Sequence, residues 1–515
     1  MAFGDSKASN LIAVGSTDAR SVRLWCRTER AGRFRLHLRA AGPAPALDRT
    51  VTFDVPGERD NTVGLAYPDG FPGEPPLAPL TRYLASIAAD DGTIVVGEAT
   101  FETAPLTPGD TPERFSIGVL SCHQPFDARS GLVREENLAL LRQLPAAFQR
   151  YNTKFLMMLG DQMYADEPPP FSPFDPGYAA RVGPGAGSDV FTWSAEEVRA
   201  ALQERYRTFW EPIAWRKLMG MAATYSILDD HECFDDWGSL PAAEEARRQS
   251  FVRGARLAYM DYQGSKQGPW DGVDLAPAFD HEVRYGTVAG FVFDLRSERS
   301  RPRARVLSDQ QLERFRAFLA RSTDAHVLLL ATSVPFVHIP EWVTRVGQAA
   351  FADVDFPDHW NAAHNLPDRA RVLALLREHL DRPETARQKV LILGGDVHIG
   401  AAFVLRLVGG GRPIYQLTSS AVSNPLLGKV AKLIPERLLT PQGPALFQSF
   451  SRTADGTLEI KLLEPRHGGP GQNPCADLNA GVIEVERRGD SSQLRLKLLG
   501  QGPTGAVEVF ESALL

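Results

Sequence analysis

Four apolar runs in this 515-residue chain each end in side chains that bind cations or move protons. Residues 115–120 run into Ser121-Cys122-His123-Gln124, and residues 154–160 into Asp161-Gln162-Met163-Tyr164. Residues 225–228 run into Asp229-Asp230-His231-Glu232, and residues 390–395 into Asp396-Val397-His398. In open α/β sheets, sites form at the carboxyl ends of strands. Four strand ends bearing Asp, His, Cys or Tyr together exceed what core packing asks for, and point to a metal-assisted reaction.

Each signal has a plainer alternative. Cys122 reads as a small buried hydrophobe or, between Ser121 and His123, as a thiolate ligand. Asp161 reads as a helix cap, although Gly160 before it suits close backbone approach. Asp229-Asp230-His231-Glu232 packs three carboxylates and an imidazole into four residues. Their repulsion costs on the order of a kcal/mol or more per close pair in partly buried surroundings, which a cation would offset; the alternative is a solvated helix start. Asp396 and His398 lie two apart, so an extended segment puts both on one face, against a glycine turn with a hydrogen-bonded histidine. Arg296 and Arg299, after the apolar run 290–295, have forks that match a phosphate, with a surface ion pair to Glu298 as the alternative. The run Gln416-Leu-Thr-Ser-Ser lines a pocket or holds hydroxyls satisfied by the backbone. Gly394-Gly395 belongs to no Gly-x-Gly-x-x-Gly or Gly-Lys-Ser/Thr pattern, and there is no Gly-x-Ser-x-Gly, so nucleotide-loop and serine-hydrolase readings fall away.

The elements that must carry these groups divide in two. Residues 1–107 alternate polar and apolar positions over short stretches, as in Ser21-Val-Arg-Leu-Trp-Cys and Arg33-Phe-Arg-Leu-His-Leu-Arg, which predicts a small all-β sandwich with an irregular loop over 57–79. A proline-rich linker follows at 104–112. Residues 113–515 alternate apolar runs with helical periodicity, predicting an α/β domain with helices over 135–144 and, capped at Ser308, over 309–320. Residues 168–188 read as a long loop. The segment after about 455 returns to strands, expected to complete the second sheet.

Composition narrows the classes. The apolar fraction is 43%, the charged fraction 23% and the net charge -7, so the chain is globular and has no broad basic footprint for nucleic acid or anionic membranes. Its four cysteines are scattered without a Cys-x-x-Cys pair, which argues against a disulfide framework or a zinc ribbon. The start has no basic stretch before an apolar core, so the expectation is a cytoplasmic protein, or a periplasmic or secreted one if a leader has been removed. Oligomeric state is open.

In order and content, Ser121-Cys122-His123, Gly160-Asp161-Gln162-Met163-Tyr164, Asp229-Asp230-His231-Glu232 and Gly395-Asp396-Val397-His398 resemble the motifs of PhoD-type alkaline phosphatases and phosphodiesterases, in the metallophosphatase (calcineurin-like) superfamily. Ser21-Val-Arg-Leu-Trp is similar to that family's leading sandwich, and the resemblance covers nearly the whole chain. It implies a four-layer αββα domain behind a small all-β sandwich, and two metal ions, Fe3+ with Ca2+. Carried over, Cys122, Asp161, Tyr164 and His398 surround the iron, Asp161 bridges, and Asp230 and Asp396 serve the second metal. His231 stands beside the reacting phosphate. Two positions depart from the pattern. His123 stands where glutamine is common, and Asp235-Asp236 where the family often has asparagines. That extra charge opens the second site to Mg2+ or Mn2+ as well.

The implied reaction is hydrolysis of phosphate mono- or diesters. Two metals about 3.5–4 Å apart activate a bridging water and clamp phosphate oxygens, and the hydroxide attacks in line. His231 protonates or stabilises the leaving oxygen. Two alternatives stay open: a cysteine hydrolase using Cys122, for which His123 points to the wrong face of the strand, and a non-enzymatic metal-containing binding protein.

Overall fold

Alternation along the strands decides which layers they face. In the strand Val327–Ala331, Val327, Leu329 and Ala331 enter one apolar core while Leu328 and Leu330 enter another. The neighbouring strand Lys389–Gly394 repeats this, with Leu391 and Leu393 on the first side and Val390 and Ile392 on the second. Strands apolar on both faces need cover on both. On the outer side it comes from the helix Asp309–Arg321, whose Leu312, Phe315, Phe318 and Leu319 form one stripe against Phe291. On the inner side it comes from a second sheet.

The computed structural model describes residues 10–42, 47–127, 129–184, 189–338, 358–424, 451–453 and 455–515. Among these, one sheet of eight strands runs His281–Tyr285, Val288–Val292, Val327–Ala331, Lys389–Gly394, Ile414–Thr418, Ala401–Leu407, Leu458–Leu462 and Ser451–Arg452 in spatial order. From Val288–Val292 to Ile414–Thr418 the pairing is parallel. The facing sheet of six strands runs Ala223–Ile227, Thr153–Leu159, Arg114–Leu120, Ala480–Arg488, Ser491–Gly500 and Val507–Glu511, with its first three parallel. The helix Ala139–Arg150 covers that sheet through Leu140, Leu141, Leu144 and Phe148. The order is helix, sheet, sheet, helix, the four-layer αββα arrangement expected.

Two smaller sheets precede this core. Leu11–Thr17, Val22–Arg27 and Thr62–Tyr67 make one; Asp48–Val55, Gly32–Ala40, Arg82–Ala89 and Val95–Glu102 make the other. The three-stranded one docks on the larger body through specific bonds: Trp25 Nε1 donates to the Asp261 carbonyl at 2.7 Å, and Thr224 Oγ1 to the Val14 carbonyl at 2.6 Å.

Four local expectations change. The loop expected over 57–79 contains the strand Thr62–Tyr67, paired antiparallel to Val22–Arg27. Its alternation is broken by Gly64, where an added Cβ would lie 2.5 Å from the Ser265 carbonyl oxygen. The loop over 168–188 contains the helix Pro176–Val182, capped by the Asp175 side chain on the Tyr178 N–H at 2.8 Å; residues 185–188 lie outside the described residues. The helix placed at 135–144 starts later, at Ala139, after turns. The C-terminal strands serve both sheets: Leu458–Leu462 joins the eight-stranded one and Ala480–Arg488 the six-stranded one. Among the described residues, no helix is long and apolar enough to cross a membrane.

Candidate active site

Parallel strands end at the same side, and here the ends of both sheets meet. Cys122 N–H donates to the Gly160 carbonyl at 3.3 Å and His123 N–H to the Asp161 carbonyl at 2.7 Å, locking two strand ends of the six-stranded sheet together. Gly395 brings in the other sheet: a Cβ there would sit 2.5 Å from the Leu159 carbonyl oxygen and 2.7 Å from Ser121 Cβ. Gly160 has φ +85° and would place a Cβ 2.4 Å from Asp229 Cβ, so this position is closed to side chains twice over.

The backbone is strained where the chemistry sits. Cys122, Asp161, Asp396 and His398 have φ of 57°, 54°, 65° and 54°. Left-handed conformation costs a non-glycine residue roughly 1–2 kcal/mol. Strain of this kind collects where side chains must be aimed for function.

Asp161 is the hub. Its Oδ2 lies 3.4 Å from Cys122 Sγ and 3.4 Å from Tyr164 Oη. Asn424 Nδ2 is 3.1 Å from Tyr164 Oη and 3.3 Å from His398 Nε2, so the imidazole belongs to the same group. On its other side, Asp161 has carboxylate oxygens within 4.8 Å of those of Asp229, Asp230 and Asp396. Burial and the neighbouring carboxylates push the Asp161 and Asp396 carboxyls well above their usual range. Burial, with Asp161 alongside, likewise raises the Cys122 thiol and the Tyr164 phenol. Burial also holds His398 down to about 3, leaving its ring neutral. Asp161 Oδ1 and Asp229 Oδ2 are buried without a hydrogen-bond partner. Anionic oxygens and sulfur crowded together, with orphaned carboxylate atoms among them, fit cations and are costly without them.

His231 lies at the edge of this group. Its Nδ1 is 2.8 Å from Asp166 Oδ1, its ring stacks 4.3 Å from that of Tyr164, and its Nε2 is 3.9 Å from Asp235. Burial lowers its pKa, but Asp166, Asp230 and Asp161 raise it further, and it ends well above the usual histidine value.

The other motif residues divide by role. Glu232 is a clamp, accepting the backbone N–H groups of Asp161, Gln162 and Asp229 at 2.9, 2.7 and 2.8 Å. Asp229 accepts from Arg296 Nε and, at 2.8 Å, from Ser333 Oγ. Arg296 is no surface residue: fully buried, it also reaches Asp230 at 3.4 Å and Asp358 at 2.6 Å. Arg299 is buried too and pairs with Asp358 at 3.2 Å. The alternative ion pair with Glu298 does not form for either; Glu298 accepts from Ser308 Oγ instead. Asp236 N–H holds Asp230 Oδ2 at 2.9 Å, while the Asp235 side chain is largely exposed.

His123 is structural. Its ring stacks on Trp215 at 4.1 Å, and its nitrogens lie 2.8 Å from Ser423 Oγ and 2.9 Å from the Phe209 carbonyl. Within the run 416–420, Ser420 Oγ touches Cys122 Sγ at 3.1 Å and accepts the His398 N–H at 2.9 Å, whereas Gln416 bonds to the Val337 backbone. Asp166 and Asn424 join the site from outside the four motifs, whereas Ser420 belongs to the run read as pocket-lining. Asp166 and Asp358 bring two further carboxylates to the site, the first to His231 and the second to Arg296 and Arg299.

Two facing sheets that deliver carboxylates, imidazoles, a thiol and a phenol to one shared edge form the framework of a metallophosphatase. The sequence profile of the family described as PhoD-like phosphatase matches residues 140–444, more than half of the chain, and the chain belongs to that family. A phosphoesterase activity goes with this membership. Among solved structures, that of PhoD is similar over 97% of this chain and 88% of its own, at 15% identity and TM-score 0.65. Purple acid phosphatase PPD1 from yellow lupin (Lupinus luteus) seeds is similar over 98% of this chain and 74% of its own, at 10% identity and TM-score 0.53. At these identities the likeness is one of fold. No curated protein matches in sequence.

Proposed function

We propose that the chain hydrolyses phosphate mono- or diesters at a two-cation centre. One cation is held by Cys122, Asp161, Tyr164 and His398 and the other by Asp161, Asp230 and Asp396. A single observation carries this reading: the Asp161 carboxylate faces the thiol and the phenol at 3.4 Å each and the acidic group Asp229, Asp230 and Asp396 within 4.8 Å. Thiolate, phenolate and imidazole beside a carboxylate suit Fe3+; carboxylates alone suit a hard divalent ion, Ca2+ or else Mg2+ or Mn2+. Such cations, when bound, supply a water-derived nucleophile at neutral pH and neutralise phosphate charge.

The remaining work falls to the chain's own side chains. Asp166 holds His231 through Nδ1, which leaves Nε2 free to give a proton to the leaving oxygen. Arg296 offsets the charge of Asp229, Asp230 and Asp358 and fixes where Asp230 points. Glu232 keeps Asp161 and Asp229 in register by holding their amides.

A cysteine hydrolase is a poorer reading. The polar partners of Cys122 are Ser121, Asp161, Ser420 and the Asp396 carbonyl, with no imidazole hydrogen-bonded to it among the described residues. The deciding experiment compares Asp161→Ala with the parent protein for bound metal, by elemental analysis, and for turnover of an aryl phosphate and a diester. Metal and turnover are both expected to be lost with the fold kept. A variant that still hydrolyses either substrate at the parent rate removes Asp161 from the chemistry.

A further inference from the structure

Beyond the turn that carries Asp230 and His231 lies a cavity of about 400 Å³. Arg248, Arg253, Arg256 and Arg299 line it, against Glu245 as its acidic residue. This concentration of positive charge stands in a chain whose net charge is -7. The guanidiniums are only partly used. Arg256 donates to the Pro277 carbonyl at 2.9 Å and Arg248 reaches Glu244 at 3.4 Å, yet the buried Nε of each has no hydrogen-bond partner. Arg299 reaches in from the Asp358 side. Burial lowers the pKa of both Arg256 and Arg299, the mark of cations short of compensating charge. Buried donors without acceptors are costly, and an anion with several oxygens removes the cost at once.

The rest of the wall is largely apolar, with Phe234, Trp237, Leu240, Val252 and Leu275 beside Gln249. The volume lies within the roughly 300–1,000 Å³ usual for small-molecule sites. Arg248 already covers part of Phe234, its guanidinium 4.7 Å from the ring centroid; an inorganic anion would leave the remaining apolar wall bare, whereas a larger molecule with a charged end and a flat apolar end meets both.

We propose that this cavity binds a phosphate-bearing organic small molecule, its phosphate on the arginines and its apolar part against Phe234 and Trp237. It is distinct from the centre around Asp161 but shares a wall with it. The amides of Cys233 and Phe234 hold the Asp230 carbonyl at 2.7 Å each, and Arg296 Nη1 reaches the Trp237 carbonyl at 3.2 Å.

The test is calorimetric titration of the full chain with adenosine 5′-monophosphate, inorganic phosphate and adenosine. It is run in the parent and the Asp161→Ala backgrounds with released phosphate measured alongside, so that binding is told apart from turnover whichever way the phosphoesterase reading falls. Saturable one-to-one binding of the nucleotide is expected, at least tenfold tighter than either fragment. Arg253→Glu, at an exposed position, is expected to weaken it at least tenfold with the melting temperature unchanged, and Arg248→Leu to do the same if it folds. Absence of saturable binding, binding untouched by Arg253→Glu, or equal affinity for inorganic phosphate would each overturn the assignment.

Discussion

Nδ1 of His231 faces Oδ1 of Asp166 at 2.8 Å, while the other oxygen of that carboxylate accepts the Asp235 N–H at 2.8 Å. One half-buried carboxylate therefore fixes both the ring and the turn that follows it. Asp166→Asn keeps the shape but removes the charge. Turnover is expected to fall on the order of 10–100-fold with little change in KM, as for other partners that orient a reacting histidine. Steady-state kinetics on an aryl phosphate checks this. A raised KM at unchanged kcat would place Asp166 in substrate binding instead.

Chelation should act on stability as well as activity. A cation that binds the folded chain and not the unfolded one raises the melting temperature. Dialysis against a chelator is expected to abolish turnover and lower the melting temperature, with both restored by Fe3+ and Ca2+. A thiol hydrolase would be indifferent, so unchanged activity after complete metal removal argues for that alternative.

Arg296→Met tests what the buried arginine does. Removing it leaves Asp229 buried without its cation and Asp358 with Arg299 alone. Breaking a buried ion pair on one side costs on the order of 3–5 kcal/mol. Thermal or denaturant unfolding should show this loss. Had Arg296 served mainly to grip substrate phosphate, KM would rise at a nearly constant melting temperature.

Lys266 lies outside the site, buried, with Nζ donating to Ser226 Oγ at 2.9 Å. Burial lowers its pKa to about 7. The folded state thus resists a proton that the unfolded chain takes up below about pH 10.4. The penalty grows as pH falls through this window and is complete below about 7. Lys266→Met is therefore expected to stabilise the protein most at or below neutral pH, by roughly 5 kcal/mol at most, with the gain fading towards about pH 10. Denaturation midpoints on either side of the window decide it. An equal shift at both would mean that the folded lysine is charged throughout.

How much of this was legible in the sequence varies with the kind of contact. The strand ends were, because an apolar run that stops at Asp, Cys or His carries two signals at once. The division of labour within Asp229-Asp230-His231-Glu232 was not. Glu232 and Asp229 have the same carboxylate chemistry as Asp230, and only tertiary structure gives the first to backbone amides and the second to Arg296. Asp166 sits just before a proline-rich stretch that reads as a loop; a carboxylate so soon after Asp161-Gln-Met-Tyr was the signal available. Asn424 joins Tyr164 to His398 across 260 and 26 residues of chain, a relation with no local trace. Arg296 and Arg299 lie on an otherwise unremarkable segment, and their burial follows from Asp358, far along the chain.

The strand Arg114–Leu120, which presents Cys122, is flanked on one side by Thr153–Leu159 and on the other by Ala480–Arg488. As the polypeptide leaves the ribosome, the first neighbour arrives early and the second only much later. Until then an apolar strand keeps one edge open. Long-range pairing of this kind is slow and exposes the growing chain to aggregation. A stop before Ala480–Arg488 therefore takes away the lateral support of the strand on which the thiol is mounted.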